Sequence, residues 1–198
     1  MKRIGFTASV LCGALGMAAV STLSFAIWAW PGAYLSRLGG DALLYSCIAL
    51  AFMVCSGLVL ASLAGGGRAF HARFIPAFLA YCLLWCLCWF GLGGRPGEWL
   101  GGLLGALALT RLIAGAMKPA QLLALGLLAG LWHNAGYFAG SWAMFDWLMP
   151  LAKSALAAGE NERARQLAIL AKLLWGTFYG LGLGAVLGLA FWRRRIAA

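Results

Sequence analysis

Six long apolar blocks, each parted from the next by glycine, proline or charge, run along the chain: Ile4 to Trp30, Ala42 to Ala64, Phe74 to Gly94, Leu100 to Met117, Leu122 to Met144 and Ile169 to Trp192. Each is close to the roughly 20 residues that a helix needs to cross a bilayer. The breaks carry the expected stop signals. Trp28, Trp30 and Pro31 end the first block, Gly65-Gly66-Gly67-Arg68 follows the second, and Pro119 lies just beyond the fourth. A five-residue turn, Arg95 to Trp99, is predicted between blocks three and four. The pattern predicts an all-α, polytopic membrane protein, with six transmembrane helices forming a single bundle over residues 1–198.

The one long connection, from Asp146 to Ala168, is built of helix-forming residues with a break at Gly159-Glu160-Asn161. It predicts a short amphipathic helix lying at the outer surface between spans five and six. After the break, Asn161 is placed to cap a helix continuing into span six, and Glu162 and Arg165 are spaced i, i+3.

Among the polar positions inside the blocks, the middle of span five carries a distinct group. His133, Tyr137 and Ser141 are spaced i, i+4 and i+8, with Asn134 one position away, so the four form one stripe on a helix. Lipid is a poor neighbour for such a stripe, which predicts that it lines a cavity inside the bundle. Arg111, near the inner end of span four, is a further candidate binding residue as an anion-binding group. It also stands two turns from Lys118, close enough to the interface for its guanidinium to snorkel.

Glycine supplies the second regularity. Gly176, Gly180, Gly184 and Gly188 recur at every fourth position of span six; Gly126 and Gly130, then Gly136 and Gly140, do so on span five, and Gly101 and Gly105 on span four. Helices in lipid attract one another chiefly by close packing, so these rows predict a glycine zipper joining spans four, five and six. The partner of the span-six row is open at this level: a neighbour in the same chain, a second copy, or another membrane subunit.

Composition agrees with the pattern. Of the 198 residues, 64% are hydrophobic and 10% charged, with a mean hydropathy of +0.89; soluble domains carry about a quarter of their residues as charges. The net charge of +10 does not mark a nucleic-acid surface, because the basic residues stand at the ends of apolar blocks. If the N-terminus is cytoplasmic, that side receives Lys2, Arg3, Arg68, Arg73, Arg111, Lys118 and Arg193 to Arg195. The other side receives Arg37, Arg95, Lys153, Arg163, Arg165 and Lys172 with all five acids, Asp41, Glu98, Asp146, Glu160 and Glu162. This split predicts a bacterial-type inner membrane protein with both termini cytoplasmic. The first block is too long for the apolar region of a signal peptide and does not end in small residues, which predicts a retained span.

Little in the chain points to catalysis or a cofactor. No carboxylate lies mid-span, so proton or sodium carriage through buried acids has no carrier. His133 and His71 are the only histidines, and His71 belongs to a loop among arginines, which excludes a bis-histidine haem within one copy. Cys82 and Cys86 share a face but Cys88 does not, so small apolar packing is expected of the cysteines rather than metal binding. The expected function is a membrane module that binds or transports a small solute, or an accessory subunit of a larger complex, with lipid as its medium and no cofactor.

Two alternatives remain. One is a structural homo-oligomer or assembly factor packed through the span-six glycines. The other is an intramembrane peptidase or transpeptidase using Cys55 or Ser56 with His133. The string Val54-Cys55-Ser56-Gly57-Leu58, followed by Arg111 and His133, resembles the Cys, Arg, His order of exosortase-like transpeptidases. Ser56-Gly57 with His133, Gly136 and Gly140 resembles rhomboid proteases in part. The expected depths of Cys55 and Arg111 set the first resemblance aside, and the second departs from the family pattern, with Val54 where a glycine is required and the serine on span two rather than a late helix.

Overall fold

The computed structural model describes residues 5–197; Ile4, at the predicted start of the first span, and Lys2 and Arg3 lie outside them. The helices are α1 (Phe6–Ala29), α2 (Gly32–Ala64), α3 (Gly67–Leu92), α4 (Gly94–Ala114), α5 (Pro119–Ser141), a π-helical stretch (Trp142–Leu148), α6 (Met149–Ala157) and α7 (Asn161–Ala197). Five helical segments are long and apolar enough to cross a membrane: α1, α2, α3, Pro119–Ala157 taken as one, and α7. The fold is all-helical, and α4 packs within the same bundle against α3, α5 and α7.

Several connections are shorter than the hydrophobic pattern predicts. Residues 32–38, expected as loop, form a helix that joins the second span across a kink, where Gly40 takes a φ of +67°. The predicted turn from Arg95 to Trp99 is helical, because Gly93 and Gly94, with φ of +65° and +52°, reverse the chain by themselves and Pro96 suits a first helical turn. α3 starts at Gly67, seven residues before the predicted Phe74, so Arg68, His71 and Arg73 are helical.

The predicted surface helix is instead a continuation of α5. Pro150 has no N–H and its ring crowds the preceding turn, and the wider π-helical stretch just before it accommodates both without ending the helix. The 39 residues of Pro119–Ala157 and the 37 of α7 extend roughly 55–60 Å at about 1.5 Å per residue. A bilayer's hydrocarbon core is about 30 Å thick. α6 packs back against the start of α7, and Ala152, Ala155 and Ala164 are buried at this contact. The break between them is a glycine cap: Gly159 has a φ of +79°, and Glu160 N–H donates to Ala155 O at 2.9 Å. Glu160, not Asn161, holds the capping position, its carbonyl accepting from Ala164 N–H at 2.9 Å. Glu162 and Arg165 do pair, at 3.3 Å.

α7 is the axis of the bundle. Of its apolar window 56% is buried, against 17% for α3, which places α7 at the centre and α3 at the rim. Its glycine row packs on α1 rather than on spans four and five. A methyl group at Gly184 would fall on the Gly13 carbonyl, one at Gly188 on Ser9, and one at Gly180 within 2.8 Å of Ala18 Cα. The pairing of α5 and α7 uses another glycine: Gly136 and Gly182 face each other, a methyl at Gly182 meeting Gly136 Cα at 3.1 Å. Gly126 and Gly130 receive Leu107 and Leu103 of α4, while Gly101 and Gly105 receive Trp85 and Tyr81 of α3. The span-six row is therefore filled from within the chain.

This geometry sets opposite signs for two glycine substitutions. Gly184→Leu drives a side chain into the α1 backbone and is expected to cost at least about 2 kcal/mol. Gly91→Ala meets open space and is expected to stabilise by roughly 0.5–1 kcal/mol. Thermal unfolding of both variants in detergent measures the difference.

Candidate functional site

α5 carries the polar stripe into the bundle because small residues flank it. Gly102 of α4 lies against His133 and Asn134, where any side chain at 102 would strike the Asn134 carboxamide oxygen. On the other side, Gly136 admits α7 to backbone contact. His133 is 0% exposed and Asn134 2%, so both face protein and not lipid.

His133 Nε2 lies 3.0 Å from the Tyr81 hydroxyl of α3. The Tyr179 hydroxyl of α7 donates in turn to Tyr81 at 3.4 Å. Both tyrosine rings meet the imidazole edge-on, with centroids at 5.2 Å and 5.7 Å. Three helices are thus tied through a short chain of hydroxyls ending on one histidine. Next to it, Asn134 Nδ2 donates to the Trp99 carbonyl at 3.2 Å, and one turn further Tyr137 donates to Glu98 Oε1 at 3.2 Å. His133 Nδ1 and Asn134 Oδ1 are buried without partners among the described residues.

Two cavities lie beside this stripe. The first, about 240 Å³, is lined by Phe25 of α1; Tyr81, Cys82, Trp85 and Cys86 of α3; Tyr137 of α5; and Trp175 and Tyr179 of α7. α2 contributes none of its walls, and Cys86 on its rim is exposed. Its rings pack edge-on at the back, where Phe25 and Trp175 stand 5.4 Å apart. The Trp175 indole N–H is buried with no acceptor among the described residues. The second cavity, about 320 Å³, is polar and sits at the acidic end of the bundle between Arg95, Glu98, Trp99, Phe138, Ser141, Trp142 and Asp146. The Tyr137 to Glu98 hydrogen bond links a residue lining the first to a residue lining the second.

The four stripe residues therefore divide. Tyr137 lines the aromatic cavity and Ser141 the polar one, while His133 and Asn134 stand behind the walls and hold them. Arg111 is apart from all of them, exposed in the last turn of α4, a position that fits snorkelling to the interface. The pairing needed by a peptidase is not made. The Ser56 hydroxyl donates to the Phe52 carbonyl at 2.5 Å and also contacts Met17 Sδ, while His133 is engaged by Tyr81. Cys55 packs on the core beside Ser56.

The aromatic walls were not singled out by the hydrophobic pattern, in which tryptophan and tyrosine count as anchors or filler. One signal was available: Tyr81 with Trp85, and Trp175 with Tyr179, are each spaced i, i+4, which places two rings on one face of a helix. Compared with protein family models, curated proteins and solved structures, the chain has no match.

Hydroxyl removal separates the links of the network. Tyr81→Phe leaves His133 Nε2 buried and unpaired and is expected to cost about 1–3 kcal/mol. Tyr179→Phe removes only the longer bond and costs about 0.5–1.5 kcal/mol. Combining Tyr81→Phe with His133→Leu is expected to cost less than the sum of the two, a coupling of roughly 0.5–3 kcal/mol that a double-mutant cycle of thermal stabilities measures.

Proposed function

We propose that this chain is a six-span integral membrane protein, with α4 as the sixth span, that binds one small and largely apolar molecule in the aromatic cavity. The observation that carries the reading is the cavity itself: a space ringed by Phe25, Trp85, Tyr137, Trp175 and Tyr179 and left uncovered by α2. Aromatic faces offer dispersion contact and the edge of a ring offers a weak positive potential, so an unsaturated or planar group suits these walls. The Trp175 N–H supplies a donor for one acceptor on the ligand.

The volume narrows the ligand. About 240 Å³ falls below the roughly 300–1,000 Å³ of pockets that enclose a drug-sized molecule. It suits a single ring or a short branched segment, with any longer tail remaining in lipid. The exposed rim at Cys86 gives a lateral entry, and such a ligand would arrive by partition from the membrane.

The charge distribution supports an orientation with both termini cytoplasmic in a bacterial-type inner membrane. In that frame the polar cavity with Ser141 opens outward, and α6 with the first turns of α7 rises above the outer surface as an upright hairpin. A binding role, alone or as a subunit of a larger assembly, fits the site better than energised transport, since no acid lies beside the cavity except Glu98, which is held by Tyr137.

Filling the mouth of the cavity tests this reading. The wild-type protein, extracted gently from its membrane, is expected to retain a small-molecule adduct in native mass spectrometry, and Cys86→Trp to lose it while keeping its unfolding temperature. An adduct unchanged by Cys86→Trp, or absent from both proteins, contradicts the proposal.

A further inference from the structure

At the opposite end of the bundle from the acids, a cavity of about 220 Å³ is lined by Leu63 and Ala64 of α2, Arg73 of α3, and Phe191, Arg194 and Arg195 of α7. Arg73, Arg194 and Arg195 all contribute to its lining. None of the five acidic side chains is near: Glu98 is held by Tyr137 and shares the far cavity with Asp146, Glu160 and Glu162 pair with Arg163 and Arg165, and Asp41 accepts from Ser36.

The arginines are fixed rather than splayed. Arg195 donates through Nη2 to the Ser9 hydroxyl at 2.8 Å, and Ser9 donates onward to the Gly188 carbonyl at 2.9 Å. Arg194 reaches the Ile113 carbonyl at 3.4 Å, and Arg73 donates to the Ala69 carbonyl at 3.0 Å. Each bond uses one donor of five and leaves the rest of the fork available. Arg195 Nε is buried with no partner among the described residues. Holding like charges together costs free energy unless an anion sits between them.

We infer that this cavity is a binding site for a phosphate-type anion, either the headgroup of an acidic phospholipid or a free phosphate group. Tetrahedral oxyanions match the forked donors of arginine. The apolar floor of Leu63 and Phe191 suits the first carbons attached to a phosphoester. The site is separate from the aromatic cavity and shares no lining residue with it. It differs from ordinary interfacial anchoring because arginines of α7 and α3 line one cavity between the helices.

The test uses the full chain in nanodiscs of phosphatidylcholine, with or without phosphatidylglycerol, and separately with inorganic phosphate against chloride of equal ionic strength. Phosphatidylglycerol is expected to raise the unfolding temperature by about 2–4 °C for each arginine engaged. Arg73→Gln and Arg194→Gln are expected to lose that rise, and Arg194→Lys to lose part of it, keeping charge but not the fork. A rise with inorganic phosphate in phosphatidylcholine alone, lost in the same variants, assigns the site to a free phosphate group. Arg111→Gln and Lys118→Gln, exposed basic residues outside the cavity, are the controls. The inference is overturned if neither anion stabilises the wild type, or if the controls lose the effect as fully as the cavity variants.

Discussion

Backbone contact between α1 and α7 is the constraint on which the rest of the bundle depends. Lipid tails are as apolar as leucine, so two membrane helices gain little by burying leucines against each other and much by close approach. Gly180, Gly184 and Gly188 on one side, with Gly13, Ala18 and Ser9 on the other, remove the side chains that would hold the backbones apart. With α1 seated in this way, α7 turns its opposite face to α4 and α5. Gly182 against Gly136 then fixes how far α5 stands from the centre.

That spacing makes the polar stripe affordable. His133 and Asn134 occupy positions where Gly102 leaves room and where Tyr81 and the Trp99 carbonyl provide partners. The small residues that bring the helices together are preceded on α7 by Trp175 and Tyr179, too large to pack as closely. The aromatic cavity is the space between the two regimes. It opens where α2, joined to α3 through the Phe52 and Phe78 stack at 5.1 Å and the His71 bond to the Met53 carbonyl at 3.0 Å, contributes no wall.

Helix positions were legible in the sequence because hydrophobic length is a strong signal in a membrane protein. The burial of His133 was legible too, since a titratable group inside a long apolar block must face protein. Connections were less so: glycines at 93, 94 and 159 reverse the chain in fewer residues than the polar content of the flanking segments suggests. The partner of the span-six glycines was hidden because α1 answers with Gly13, Ala18 and Ser9, a mixed set with no glycine period of its own. The cavity was hidden for a related reason. Its walls come from four helices distant in sequence, and a ring on any one of them reads as packing until the others are placed beside it.

The central claim is that the space beside the His133 network holds a ligand drawn from the membrane. An experimental density map of the wild-type chain in a lipid nanodisc tests it most directly. The account predicts non-protein density among Tyr137, Trp175 and Tyr179, continuous with lipid past Cys86, with the His133 imidazole on the Tyr81 hydroxyl. A cavity closed by Trp85 folding onto Trp175 with no density inside it, or His133 turned out to lipid, would contradict it.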